Sequence, residues 1–221
     1  TSNVPEPTPW TAANPAALHL QNPHALGFAA NHNQAFRHCT QPYFCVANPD
    51  IRLPTDPFPR LLAHMQDPRV GLVAPLVLSP AGGIEDSARR FPTPANLLRK
   101  ALGGPDGRYE LSHLNASQPL QVDWVAGMFQ LFRAEAFRDV GGFDDKFHLY
   151  YEDVDICARL WKAGWKVVLS PDVNVIHAAQ RASRRRPRYM AWHATSMARY
   201  FTKHLGRPPR PVTEAGPSAG A

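Results

Sequence analysis

Residues Val70 to Leu78 read VGLVAPLVL, nine in a row without a charged or hydrogen-bonding side chain. The run is far shorter than the roughly 20 apolar residues that span a bilayer. It therefore reads as a buried strand, and Tyr43 to Ala47 (YFCVA) has the same character. Around these two runs, strand-like and helix-like segments alternate along the chain. That pattern predicts an α/β sandwich around a mostly parallel sheet.

The remaining elements follow from local signals. Leu18 to Leu20 is a short candidate strand, and Asn31 to His38 reads as a helix opening on an Asn cap. Asp56-Pro57 starts a helix carrying Phe58, Leu61, Leu62 and Met65. Residues 79–120 are broken by Gly82-Gly83, Pro92, Pro94 and Gly103-Gly104-Pro105 and read as a long functional loop. Val122 to Phe132 returns to strand character, followed by a short helix from Arg133 to Val140. A helix from about Glu152 to Ala163 stops at Gly164. Trp165 to Leu169 and Val173 to His177 are the last strands, and an amphipathic helix runs from about Tyr189 to His204. No internal repeat is visible.

Charge separates the chain into a body and a tail. Of its 24 Lys and Arg residues, nine fall within residues 178–210, which hold no acid; the rest of the chain has 15 basic against 18 acidic residues. The net charge of +6 thus describes an acidic domain with a basic end, which argues against a nucleic-acid binder. Arg184, Arg185, Arg186 and Arg188, followed by Tyr189, Met190 and Trp192, suit either a solvated helix face or an interfacial helix on an anionic membrane. Cys39, Cys45 and Cys157 are odd in number and lack metal-ligand spacing, which fits a reduced, cytoplasmic compartment. The Asn115-Ala116-Ser117 sequence carries no meaning as a glycosylation site there.

Two acidic segments stand out chemically. Asp50 follows a buried strand in Ala47-Asn48-Pro49-Asp50; an acid beyond a strand's carboxyl end can meet a ligand, although Asn-Pro-Asp is also ordinary turn chemistry. Helical spacing places Asp153 on the stripe of Ile156, Cys157, Leu160, Trp161 and Gly164, with Glu152 and Asp155 beside Arg159 on the solvated side. A carboxylate at the end of a buried stripe faces a cleft, and desolvation there raises its pKa toward that of a general base. His177 ends the last strand and reads as structural unless Asp50 and Asp153 converge on it.

Several ordered segments then resemble a known family. They are Leu26-Gly27-Phe28-Ala29-Ala30-Asn31-His32-Asn33, Asn48-Pro49-Asp50, Arg89-Arg90-Phe91-Pro92-Thr93-Pro94, Asp123-Trp124-Val125-Ala126-Gly127 leading to Arg133, Gly141-Gly142-Phe143-Asp144, Tyr151-Glu152-Asp153-Val154-Asp155, and His177. Over about residues 18 to 205 the chain is similar to the family 2 glycosyltransferases, in particular the bacterial rhamnosyltransferase-like branch.

The resemblance implies a GT-A fold, a three-layer sandwich around a mostly parallel mixed sheet. It implies inverting transfer of a sugar, such as rhamnose, from a dTDP- or UDP-sugar to an acceptor hydroxyl in surface polysaccharide synthesis. Asp50 matches the last acid of the family's Asp-x-Asp metal motif, with Asn48 in the place of the first, and His177 matches a further ligand for Mg2+ or Mn2+. Asp153 matches the catalytic base. Gly27, Asn33, Asn48 and Asp50 fall on the donor side; Asp123, Trp124, Gly127 and Glu152 fall on the acceptor and sugar side. A glycan or lipid-linked glycan is the implied acceptor, at the inner face of the cell membrane.

The implied organisation is a lead-in at 1–17, a catalytic domain at 18–178 and a basic helix with a Pro-rich tail at 179–221. The family's first strands, which hold the nucleotide, have no match before Leu18. A truncated, non-catalytic relative that binds an acceptor or partner protein is therefore the competing expectation.

Overall fold

In the computed structural model the described residues are 17–105, 107–109, 118–178 and 187–205, with Thr1, Asn3 and Pro209. Nearly all of the lead-in at 1–17, the Asn115-Ala116-Ser117 sequence, and Arg184, Arg185 and Arg186 lie outside the described residues.

The apolar run Val70–Leu78 forms β3, at the middle of a six-stranded sheet. The strand order is β1 (Tyr43–Ala47), β7 (Phe129–Arg133), β3, β8 (Lys166–His177) and β2 (Ile51–Arg52), and β5 (Leu120–Gln121) also pairs with β8. Along β3, Leu72 and Ala74 enter one core while Val70, Val73 and Val77 enter the other. Burial on both faces is why the strand carries no alternating polar residue. The sheet is mixed. Its parallel pairing is the long β3–β8 ladder, and the other described pairs in it are antiparallel.

Helices cover both faces and make three layers. On one face, Leu61 of α2 (Phe58–His64) packs with Val73, Leu131, Val168 and Val175. On the other, α4 (Ala134–Asp139) and α5 (Glu152–Lys162) contribute Phe137, Ile156, Cys157 and Leu160 against Leu72, Phe132 and Leu169. A small sheet of β4 (Ala88–Arg89) and β6 (Trp124–Val125) stands beside this layer, and α3 (Pro94–Ala101), capped by the Thr93 hydroxyl, follows β4. The 79–120 segment is therefore partly structured.

Four local expectations are corrected. Leu18 to Leu20 forms no strand. The first helix, α1 (Phe28–Phe36), starts three residues early at Phe28, with Gly27 as its cap, because the Asn31 side-chain amide donates to the Leu26 and Gly27 carbonyls and accepts from Asn22 instead of capping. The Val122–Phe132 run splits into β6 and β7 at Ala126-Gly127-Met128. The two last strands merge into β8, with a register irregularity opposite Pro75-Leu76, where proline has no amide to donate.

The basic helix α6 (Pro187–His204) packs onto the body, with Ser196, Tyr200 and His204 buried along one edge. Among the described residues no helix is long and apolar enough to cross a membrane. All three cysteines are free thiols.

Candidate active site

The Asn48-Pro49-Asp50 turn lies between β1 and β2, closed by the Ile51 amide donating to the Asn48 carbonyl at 3.2 Å. Because Ile51 pairs with His177 and the Ala178 amide donates to the Asp50 carbonyl, the turn is laid against the end of β8. Asp50 Oδ1 then sits 3.3 Å from His177 Nε2. On the other side of the ring, Nδ1 lies 3.2 Å from Glu85 Oε2. Glu85 was not singled out from the sequence. It comes from the irregular stretch after β3, where nothing marks one acid above another.

A second turn joins this region to the helix carrying Asp153. The Asn48 amide donates to the Met128 carbonyl at 3.0 Å, and the neighbouring Gly127 amide donates to Asp153 Oδ2 at 3.1 Å. A side chain at Gly127 would meet the Phe28 ring at 3.0 Å, so the amide approaches this closely only because the residue is glycine. Ahead of α5, Tyr150 and Tyr151 both have positive φ, 71° and 66°. Two consecutive non-glycine residues in this region are costly. The aromatic contacts of both rings with His193, tilted for Tyr150 and edge-on for Tyr151, and the Ser196 hydroxyl bond to the Leu149 carbonyl, hold the turn in place.

Asp153 is partly buried, and burial raises its pKa above the ordinary carboxylate value against the lowering effect of the Gly127 and Val154 amides. Glu152 is buried. Burial, with the charge of Asp153 beside it, pushes its carboxyl well above the usual range, and its Oε2 has no hydrogen-bond partner. The expected solvated side of this helix is thus a correction: Glu152 is buried, and Asp155 is fully so.

Asp155 is a structural hub. It pairs with Arg159 Nε at 2.8 Å, Lys203 Nζ at 2.9 Å and His204 Nε2 at 3.0 Å. Burial opposes its charge, but these partners outweigh burial and bring its pKa down to about 2. Lys203 also reaches Asp144 at 2.6 Å, so the Gly141-Gly142-Phe143-Asp144 segment, α5 and α6 are tied at one point.

The other expected site residues are placed as follows. Asp123 is fully buried, accepting from the Phe91 amide at 2.7 Å and the Tyr109 hydroxyl at 3.0 Å, while Trp124 Nε1 donates to the Arg90 carbonyl. The Arg-Arg-Phe-Pro and Asp-Trp-Val-Ala-Gly segments are therefore one unit, paired across β4 and β6. Asn33 makes both amide bonds to the backbone of Phe143, at 2.8 and 2.9 Å. Gly27 lies against His148, whose carbonyl oxygen would be 2.3 Å from an added Cβ. Asn33 and Gly27 thus brace the 143–148 segment ahead of Asp153. Arg133 bonds the carbonyls of Met65, Asp67 and Val70 and holds the α2–β3 turn.

The donor set at Asp50 and His177 fits a hard divalent cation. Asp50 Oδ1 is buried, lacks a hydrogen-bond partner and faces an imidazole nitrogen across 3.3 Å. Among the described residues no group of three or more His, Cys, Asp or Glu side chains has metal-binding geometry, so a cation here would have at most Asp50 and His177 as protein ligands.

Residues 48–200 match the sequence profile of the family described as Glycosyl transferase family group 2. An N-acetylglucosaminyl-diphospho-decaprenol L-rhamnosyltransferase of Mycobacterium tuberculosis is 36% identical over 171 residues, covering 73% of this chain and 55% of that protein. The rhamnosyltransferase WbbL of Escherichia coli is 28% identical over 187 residues, covering 80% and 70%. The chain spans about half the length of the first of these relatives. Among solved structures, a mannosyltransferase of Pyrobaculum calidifontis in complex with GDP-Man and Mn2+ superposes with a TM-score of 0.59, at 20% identity, over 90% of this chain and 51% of that one. GalNAc-T7 with UDP, GalNAc and Mn2+ gives 0.61, at 15% identity, over 80% and 35%. The α/β architecture with its mixed open sheet is accordingly that of the GT-A glycosyltransferases, and the chain belongs to the family 2 glycosyltransferases.

Proposed function

We propose that this chain supplies the catalytic half of an inverting glycosyltransferase that moves a sugar, rhamnose or one like it, from a dTDP- or UDP-sugar to a hydroxyl of a lipid-linked glycan in surface polysaccharide synthesis. The observation that carries this reading is Asp153: a carboxylate with a raised pKa, aimed by the Gly127 amide, at the start of a helix behind a strained turn. The names of the relatives support the sugar and the acceptor class.

Asp153 in this role accepts the proton of the acceptor hydroxyl as that oxygen attacks the anomeric carbon. General-base assistance of this kind contributes roughly 10²–10⁴-fold. Attack from the face opposite the departing diphosphate inverts the centre, and one base suffices for it. The hydrogen bond from Gly127 fixes one lone-pair direction of the carboxylate and leaves the rest of Oδ2 for the acceptor. Burial, with the Asp153 charge beside it, pushes the Glu152 carboxyl well above the usual range, which disfavours a second negative charge next to Asp153. Asp50 and His177 would hold the cation on the donor side. Mg2+ or Mn2+ bound there supplies charge neutralisation for the diphosphate leaving group. Asp123 and Trp124, which fix the Arg90-Phe91 segment, belong in this reading to the acceptor and sugar side.

The reaction site belongs, in this reading, on the cytoplasmic side of the membrane; the exposed Arg188 and Met190 of α6 suit an anionic lipid surface there. Incubation of the full chain with a panel of nucleotide sugars, Mn2+ and a polyprenyl-diphosphate-linked acceptor tests the assignment. A glycosylated lipid and free nucleoside diphosphate are expected. Donor binding without product would favour the non-catalytic reading.

A further inference from the structure

We infer that Glu85 is the positioning residue of His177, holding the imidazole so that Nδ1–H points to Glu85 and the Nε2 lone pair points to Asp50. The two sides of the ring are unequal. Glu85 Oε2 and Nδ1, 3.2 Å apart, meet with hydrogen-bond geometry. Asp50 Oδ1 lies at a similar 3.3 Å from Nε2, yet this buried oxygen has no hydrogen-bond partner. An ionised carboxylate only accepts, and a neutral imidazole has a single N–H. In the neutral ring that proton belongs on Nδ1, where the hydrogen bond is, which leaves Asp50 Oδ1 and Nε2 as two acceptors facing one another. Such a pair calls for a cation between them.

The backbone explains why Glu85 is available for this. After β3 the chain turns at Gly82, Ile84 bridges back to Leu78, and the Glu85 amide donates to the Val77 carbonyl at 2.8 Å. Val77 and Leu78 pair in parallel with Val175 and Ile176, the two residues before His177. Glu85 is thereby carried by the end of one central strand to the end of its neighbour. Its side chain is 14% exposed and that of His177 11%, so the contact is shielded from competing water. A carboxylate on the far nitrogen fixes a metal-binding histidine's tautomer and strengthens its donor atom.

The cation aspect rests on the reading of Asp50 and His177 given above, and the tautomer does not. Side-chain 15N spectra of histidine-labelled, cation-free full chain report the tautomer directly, and Mn2+ titration followed by electron paramagnetic resonance reports the site. Wild type is expected to show His177 protonated at Nδ1. Glu85→Ala loses that preference and weakens Mn2+ binding about 10–100-fold. Glu85→Gln, whose amide oxygen still accepts, keeps the Nδ1–H tautomer and recovers part of the affinity. A wild-type His177 protonated at Nε2 or at both nitrogens, or a tautomer unmoved in Glu85→Ala, overturns the assignment. If the tautomer moves as expected while Mn2+ binding is indifferent to His177→Ala, Glu85 keeps its role and the cation reading falls.

Discussion

The backbone amide of Gly127 and the carboxylate of Asp153 are joined at 3.1 Å, across the gap between the β6–β7 turn and the first turn of α5. This bond links the Asn48-Pro49-Asp50 turn to the helix that carries Asp153, since Met128 also receives the Asn48 amide.

Gly127→Ala should cost activity more than stability. Its Cβ would press on the end of the Phe28 ring at 3.0 Å and push the amide away from Asp153. Overpacking of this size costs about 1–3 kcal/mol, while a misaimed base lowers kcat by about 10–100-fold. Thermal melting and steady-state kinetics on one preparation separate the two. A kcat within twofold of wild type would remove the aiming role of Gly127.

The pH profile of transfer should have its acid limb above the ordinary carboxylate range. Burial raises the pKa of Asp153, and only the ionised form can take the acceptor proton. Stability runs the other way. A carboxyl with a raised folded-state pKa lowers stability as pH rises above its unfolded value, so Asp153→Asn should melt higher than wild type at neutral pH. The difference should vanish below pH 3.8, where the carboxyl is protonated in both states. An Asp153→Asn chain that melts lower at pH 7 contradicts this.

Asp155 has the opposite sign. Its folded-state pKa is about 2 against an ordinary 3.8, so its contribution, roughly 2 kcal/mol, is present above pH 3.8 and is lost as pH falls toward 2. Asp155→Asn leaves Arg159, Lys203 and His204 without their shared carboxylate and should cost about 3 kcal/mol at pH 7. Urea unfolding of both proteins between pH 2 and 7 checks this. The stability gap should narrow on acidification, and a constant gap would be the contrary result.

These contrasts show what was legible in the sequence. Val70–Leu78 announced the central strand because burial on both faces removes every polar residue from it. The long helix around Asp153 was legible from its 3.6-residue stripe, but not the burial of Glu152 and Asp155. Asp155 owes its partners Lys203 and His204 to α6, 48 and 49 residues downstream, which reads locally as a basic, solvated helix. Asn33 and Asp123 illustrate a related difficulty. Their residue types suit a polar ligand, yet Asn33 spends its amide on Phe143 and Asp123 accepts from Phe91 and Tyr109, partners that only the folded chain brings near. Glu85 lacked any local signal, since its meaning depends on the register between β3 and β8.

Asp50→Ala and His177→Ala should each raise the Mn2+ or Mg2+ concentration needed for half-maximal transfer, by about 10-fold or more, with little change in melting temperature. Activity assayed across a metal titration after chelator treatment measures this. An unchanged metal requirement in both variants would reduce Asn48-Pro49-Asp50 to a turn.

At low ionic strength the full chain should co-sediment with vesicles containing anionic phospholipid, and be released by salt. Arg188, stacked on Trp192 at 4.4 Å, and Met190, 67% exposed, present the described part of that surface. Arg188→Glu should weaken the association. Absence of binding at low salt removes the membrane-facing role of α6.

The most direct measurement compares wild type with Asp153→Asn for sugar transfer from a dTDP- or UDP-sugar, alongside circular dichroism and donor binding. The account predicts a fall in kcat of about 10²–10⁴-fold with fold and donor affinity kept. Full transfer by the Asn variant would contradict it.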